Sequence, residues 1–380
     1  MKITPRWVGG AVAALLTATS AAALQRGDRV AVPCPLGDCS AGVALTYLGE
    51  QSLPWDTKSE GIPFGGISGL DFDPHSGRYL AISDDRAEKG PARFYALDLK
   101  IGNKGFTHVS IERTVLLKDP QGQPFAAKSV DPEAIRLGPE GNVYWTSEGS
   151  ANAGLPTVVR VADRAGRYVR AFTTPKSFAP DPQHRVGIRD NLAFEGVTLL
   201  PNGEAIAAME TALYQDGPIA SLMQGSLARF VRYRAATGEP LAEYVYPVSP
   251  IPQPALKPPF MHDNGVSEVL ALDDHHLLVL ERSYASGYGN TIKVFLADLA
   301  GATDVQNVAS LLDAHEAIVP IRKTQLLDFR ALGLTPDNLE SMALGKTSDG
   351  REVLVFAADD NFSPHQTNQF YAFRVERRPH

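Results

Sequence analysis

The sequence predicts an all-β protein, a single β-propeller made of four-stranded blades. Three observations predict it. A hairpin recurs five times at intervals of 62 to 73 residues, two more strand-like stretches follow each hairpin, and one spare strand near the N-terminus is placed to close the ring. Self-similarity of this kind decides architecture before any local propensity does. Four antiparallel strands per repeat is the composition of a propeller blade.

Each hairpin opens on a polar residue, turns through Pro, Asp, Asn or Gly, and ends on an acid. The first opens at Ser68, turns over residues 73–77 and ends on Asp84 and Asp85; the second opens at Glu133, turns over 139–142 and ends on Glu148. The third runs from Glu195 through a turn at 201–203 to Glu210, and the fourth from Glu268 through 273–276 to Glu281 and Arg282. The fifth opens at Glu340, turns over 348–350 and ends on Asp359 and Asp360. Branched and aromatic residues bounded by turn formers then predict outer strands, for example over 157–161 and 168–172, and over 228–233 and 241–246. The last repeat lacks a fourth strand after 370–375, and residues 43–48 are expected to supply it. Five blades are counted, and the long connections leave room for a sixth. Either number makes one propeller domain over 43–380.

Residues 1–23 read as a signal peptide. Lys2 and Arg6 make a positive start, an apolar run covers 8–16, and Ala21, Ala22 and Ala23 offer small residues for cleavage. That run falls short of the roughly 20 residues a membrane helix needs; an uncleaved anchor is the alternative. The expected location is therefore periplasmic or secreted, with no membrane span in the mature chain. The N-terminal segment 24–42 holds both cysteines, Cys34 and Cys39. In an oxidising compartment they are expected to form a local disulfide, the alternative being two idle thiols. The net charge of −7 and a pI near 5.7 argue against a nucleic-acid partner, which calls for a basic stripe. A monomer is expected.

In a propeller the first strand of each blade lines the axis and the second returns beside it. Openers and closers of the hairpins therefore belong at one mouth. On this reading Glu133, Glu195, Glu268 and Glu340 gather there with Asp84, Glu148, Glu210, Glu281, Asp359 and Asp360, Ser68 being the exception among openers. So many like charges need a counter-charge, and hard cations such as calcium, or magnesium, meet that need with oxygen ligands. The alternative is structural: acids that accept backbone N–H groups of the next blade. The loops at the same mouth carry Arg86, Arg189 and Arg282, whose planar forks match phosphate oxygens, or which neutralise the acids beside them. No Gly-x-Ser-x-Gly elbow, His-Glu-x-x-His or Gly-x-x-x-x-Gly-Lys stretch occurs.

At the hairpins the chain resembles the phytase-like esterase family. The residues that carry the resemblance run over 66–70, 83–85, 131–135, 147–149, 194–197 and 338–342, and the likeness spans roughly 60 to 375. The phytases' own signature stretches are not among them. The resemblance implies a propeller that hydrolyses phosphate esters or related esters with calcium. Glu133, Glu148, Glu195, Glu210, Glu268 and Glu340 are then the first candidate ligands, Glu133 and Glu195 candidate catalytic groups, and Arg86, Arg189 and Arg282 candidate clamps for substrate oxygens. Two other functions stay open: a metal-dependent lactonase of the regucalcin type, and a non-catalytic periplasmic binding or scaffold propeller.

Overall fold

Runs of branched and aromatic residues separated by Gly, Pro and Asp turns form 23 strands in the computed structural model, which describes residues 23–32 and 43–377. Residues 1–22 of the expected leader, and both Cys34 and Cys39, lie outside the described residues. Strands β1 (Arg29–Ala31) and β2 (Val43–Leu53) come first, then a minimal hairpin of β3 (Lys58–Ser59) and β4 (Ile62–Pro63). Blade 1 follows as β5 (Ile67–Asp73), β6 (Arg78–Ser83), β7 (Arg93–Gly102) and β8 (Gly105–Leu116). Blade 2 is β9 (Pro132–Leu137), β10 (Val143–Ser147), β11 (Val158–Ala162) and β12 (Tyr168–Ala171). Blade 3 is β13 (Phe194–Leu199), β14 (Glu204–Met209), β15 (Ser226–Arg234) and β16 (Glu239–Val248). Blade 4 is β17 (His262–Ala271), β18 (His276–Ala285), β19 (Gly289–Asp298) and β20 (Arg322–Asp328).

Blade 5 begins with β21 (Asn338–Lys346), β22 (Glu352–Asp359) and β23 (Asn368–Arg377). Its fourth strand is β2, antiparallel to β23 with Tyr47 opposite Phe373, and β1 adds a fifth. The expected closure by an N-terminal strand holds, and it is longer than residues 43–48. There are five blades and no sixth among the described residues. Pairing the chain's two ends in one sheet leaves no open gap in the ring, which a propeller needs because its blades are held only by neighbours.

The core lies between blades rather than inside one sheet. Inner strands are buried on both faces, so β14 and β22 read as near-continuous apolar runs, while β8 and β12 leave several residues exposed or half-buried. One apolar layer joins blades 4 and 5 through Leu280, Phe329 and Phe356, and another joins blades 5 and 1 through Phe64, Tyr95 and Phe370. At the axis the inner strands come so close that a Cβ on Gly69 would sit 2.7 Å from the carbonyl oxygen of Glu133. Only glycine fits there. Below that level Arg136 fills the channel: it donates to the carbonyls of Leu70 (2.6 Å) and Val269 (2.7 Å), and pairs with Glu268 at 2.9 Å. The axial opening above it is therefore a cup, not a pore.

Candidate active site

A β-bulge in every blade builds the mouth. The pairing of first and second strands slips by one residue at Ser68, at Glu133 and Ala134, and at Glu195, Ser267 and Glu340. A bulge inserts an extra residue into one strand and re-aims its side chain. Five bulges at the same height therefore turn the hairpin openers toward the axis. Ser68 Oγ lies 2.6 Å from Glu133 Oε2 and 3.0 Å from Glu340 Oε2.

Blade 4 departs from the sequence expectation. Its bulge holds Ser267, so Glu268 sits one residue further on and enters the channel beneath the mouth, beside Arg136. At the other end of the hairpin, Arg282 pairs with Gly265 just as Asp359 pairs with Asn338 in blade 5. Arg282, not Glu281, thus takes the place held elsewhere by Asp84, Glu148, Glu210 and Asp359. A step of one residue along a strand sends the side chain to the opposite face. Glu281 accordingly leaves the axis and meets the Tyr246 hydroxyl (2.9 Å) and Lys323 Nζ (2.5 Å).

Two more expected mouth residues point elsewhere. Asp360, one past Asp359, accepts the Gly66 N–H at 3.0 Å and the Asn368 amide at 2.8 Å, which is the structural role foreseen as the alternative. Arg189 donates to the carbonyls of Ala212 and Gly217 and lies 4.2 Å from the Tyr214 ring centroid. The others converge. A cavity of about 1170 Å³ is lined by Asp84, Glu133, Glu195, Glu210, Glu340 and Asp359, with Arg86 and Arg282. Arg86 pairs with Asp131 at 2.7 Å; Arg282 reaches Asp263 (3.1 Å) and Glu340 (3.4 Å).

Asp131 and Asn338 belong to the site although the hairpin pattern did not single them out. Each stands two residues before its opener, and Asn338 Nδ2 bridges Glu340 Oε1 (2.9 Å) and Asp359 Oδ2 (3.1 Å). At that position the other repeats carry Gly66, Ala193 and Val266, so the repeat pattern gave no signal for either. Arg330, also at the cavity wall, follows the last strand of blade 4 and carried no signal.

Glu148 is the hinge of the acidic ring. Its Oε1 accepts the Ala193 N–H of the next blade at 2.7 Å, while Oε2 is buried without a hydrogen-bond partner. Two carboxylate triads share it, Asp131–Glu133–Glu148 and Glu148–Glu195–Glu210, each with oxygens within 4.8 Å of one another. That span is about twice the 2.3–2.6 Å calcium–oxygen distance, so one ion between each set is compatible with the donors present. Burial, and then mutual repulsion, hold Asp84, Glu133, Glu148, Glu195 and Asp359 well above the usual carboxylate range. Burial raises Glu210 to about 8 although Arg282 pulls it down, and raises Asp131 to about 6 against Arg86. Unaided, such a ring keeps protons; a hard cation would let it ionise.

Fold and cavity together define a propeller protein whose polar site sits on the ring axis at one mouth. The chain belongs to the phytase-like family, described as esterase-like activity of phytase, which matches residues 62–362. Among solved structures it is similar to an endo-arabinase from Bacteroides thetaiotaomicron, at 14% identity, TM-score 0.46, covering 86% of this chain and 98% of that one. It is also similar to hydrazine synthase from Kuenenia stuttgartiensis (11% identity, TM-score 0.34, 85% of this chain and 97% of that one). A bifunctional GH43-CE protein of Bacteroides eggerthii matches at 8% identity and TM-score 0.41, over 87% of this chain and 34% of that one. Likenesses this distant say nothing about chemistry. No curated protein sequence matches the chain. Among the described residues no helix is long and apolar enough to cross a membrane.

Proposed function

We propose that this protein is an exported, calcium-dependent hydrolase of phosphate esters or related esters, working in the axial cup. The observation that carries the reading is Glu148, buried with one oxygen unpartnered where two carboxylate triads meet. An unpaired buried carboxylate is costly, and the donor set suits a hard divalent cation. Asp131, Glu133 and Glu148 would hold one such ion and Glu148, Glu195 and Glu210 another, with magnesium as a weaker fit because it demands near-ideal octahedral geometry. Bound there, such an ion would polarise the ester oxygen and acidify a water.

The remaining work falls to side chains of the chain itself. Arg282, buried among acids and held fully protonated by Asp263, Glu340, Glu210 and Glu195, offers its guanidinium to the charge that builds on the ester oxygens. Arg86 does so from the opposite wall while orienting Asp131. The Ser68 hydroxyl, 2.6 Å from Glu133 Oε2 and 3.0 Å from Glu340 Oε2, is a donor placed to meet the leaving oxygen. The leader-like start of the sequence supports export.

The test is hydrolysis of an aryl phosphate by the mature protein at buffered free calcium, then with chelator, beside the Glu195→Gln variant. Turnover that requires calcium and collapses in the variant supports the reading. A folded protein that turns over neither phosphate nor carboxylic esters, with calcium present, overturns it.

A further inference from the structure

The cup is rich in charge yet poor in free cations. Its lining includes ten carboxylates and three arginines, with no lysine among the described residues. All three arginines are engaged. Arg86 is paired with Asp131, and Arg282 is shared among Asp263, Glu340 and, at 3.7 Å, Glu210. Arg330 donates through Nε to the Asn290 carbonyl and through Nη2 to the Tyr288 carbonyl. A ligand with several phosphates needs a cluster of uncommitted Arg or Lys, and like charge around it costs binding. Even with an ion in each triad, every arginine of the cup is already committed to a carboxylate or carbonyl of the protein, so no cluster of free side-chain cations is left for a second or third phosphate.

One wall of the cup is different. In blade 4 the strands continue beyond the bulge: β17 starts five residues before Ser267, and its pairing with β18 runs on to His262 opposite Ala285. In blade 1 the same pairing stops one residue before Ser68. The extension raises Met261, Tyr284 and Tyr288 above the acids along the cavity edge. Met261 is 59% exposed and Tyr284 37%, so both present side-chain surface to the cavity. Tyr288 is held from one side by the Arg330 guanidinium, 4.3 Å from its ring centroid. Aromatic and Met side chains of this kind offer an apolar seat of adaptable shape.

We infer that the substrate is a small ester with no more than one negative charge and an apolar or aromatic group that rests on Met261, Tyr284 and Tyr288, rather than a polyphosphorylated molecule. The inference rests on the hydrolase reading and narrows it. A phosphate diester is the phosphorus member of the class: its single charge meets Arg282, and its organic arm meets the wall.

Two compounds separate the possibilities at buffered free calcium, diphenyl phosphate and inositol hexakisphosphate. Each is measured by calorimetry and as a competitor of bis(4-nitrophenyl) phosphate hydrolysis. Diphenyl phosphate is expected to bind at least tenfold more tightly, and Tyr284→Ala and Met261→Ala to weaken it at least fivefold while leaving dimethyl phosphate binding unchanged. Tighter binding of inositol hexakisphosphate, or wall variants that bind diphenyl phosphate as the parent does, overturns the inference. Calorimetry reads the preference even if no ester is turned over, so failure of the hydrolase reading is distinguishable from failure of this one.

Discussion

Arg282 Nη2 lies 3.4 Å from Glu340 Oε1, so the fourth blade brings a guanidinium into a ring that the other four line with carboxylates. The pair fixes where positive charge stands in the cup. It also sets Arg282 in competition with any metal ion for the same acids, because each neutralises them.

That competition predicts a divided outcome for Arg282→Met. Calcium binding, read by titration calorimetry, is expected to tighten severalfold. Ester hydrolysis at saturating calcium is expected to fall by roughly 10²–10³, the usual loss on removing one preorganised donor to developing charge. Weakened calcium binding would instead mean that Arg282 acts mainly as a brace of the ring.

Glu148→Gln keeps an oxygen for the Ala193 N–H and removes charge at the unpartnered position. The variant is expected to fold, and to lose the rise in melting temperature that calcium gives the parent, a rise due to binding the folded state alone. Glu281→Gln, away from the axis beside Lys323, is expected to keep the full calcium response. Thermal scans with and without calcium compare the two.

The metal-free protein has a pH dependence whose sign follows from the raised carboxyls of the ring. In the folded state they hold protons that the unfolded chain has released, so stability falls as pH rises. The loss runs from the unfolded values near 4 up to about 6 for Asp131 and about 8 for Glu210, and each tenfold gain in proton affinity on folding corresponds to about 1.4 kcal/mol. In chelator the melting temperature is expected to decline from pH 5 to pH 8, and calcium to flatten that decline. A metal-free protein that gains stability over this range would contradict the buried ring.

At the axis, Arg136→Met leaves Glu268 buried without its partner and strands carbonyls of blades 1 and 4. Urea unfolding is expected to show a loss of roughly 3–5 kcal/mol, as when one member of a buried ion pair is removed. Adding Glu268→Gln should recover part of it, since the uncompensated charge goes. No recovery would mean that the carbonyl contacts carry the cost.

Much of this molecule could be read along the chain. The five hairpins, the outer strands and the spare N-terminal strand are local patterns, and each formed where its residues predicted. Asp84, Glu133, Glu195, Glu210, Glu340 and Asp359 reached the cavity as their positions in the repeat implied. Glu268, Glu281 and Asp360 did not. In one dimension Glu268 looks like Glu195, and Glu281 looks like Glu210. The difference is one residue of register, set by where the strand bulges.

The repeated hairpin and its outer strands were determined by sequence itself, because strand periodicity and turn chemistry act over a few neighbouring residues; that the blades number five and not six was decided by the structure. Which carboxylates share a cup, which arginine joins them and which plugs the channel were decided only when five blades converged. Those residues are brought together from across most of the chain, and a single bulge in each inner strand chooses which side chain faces the axis.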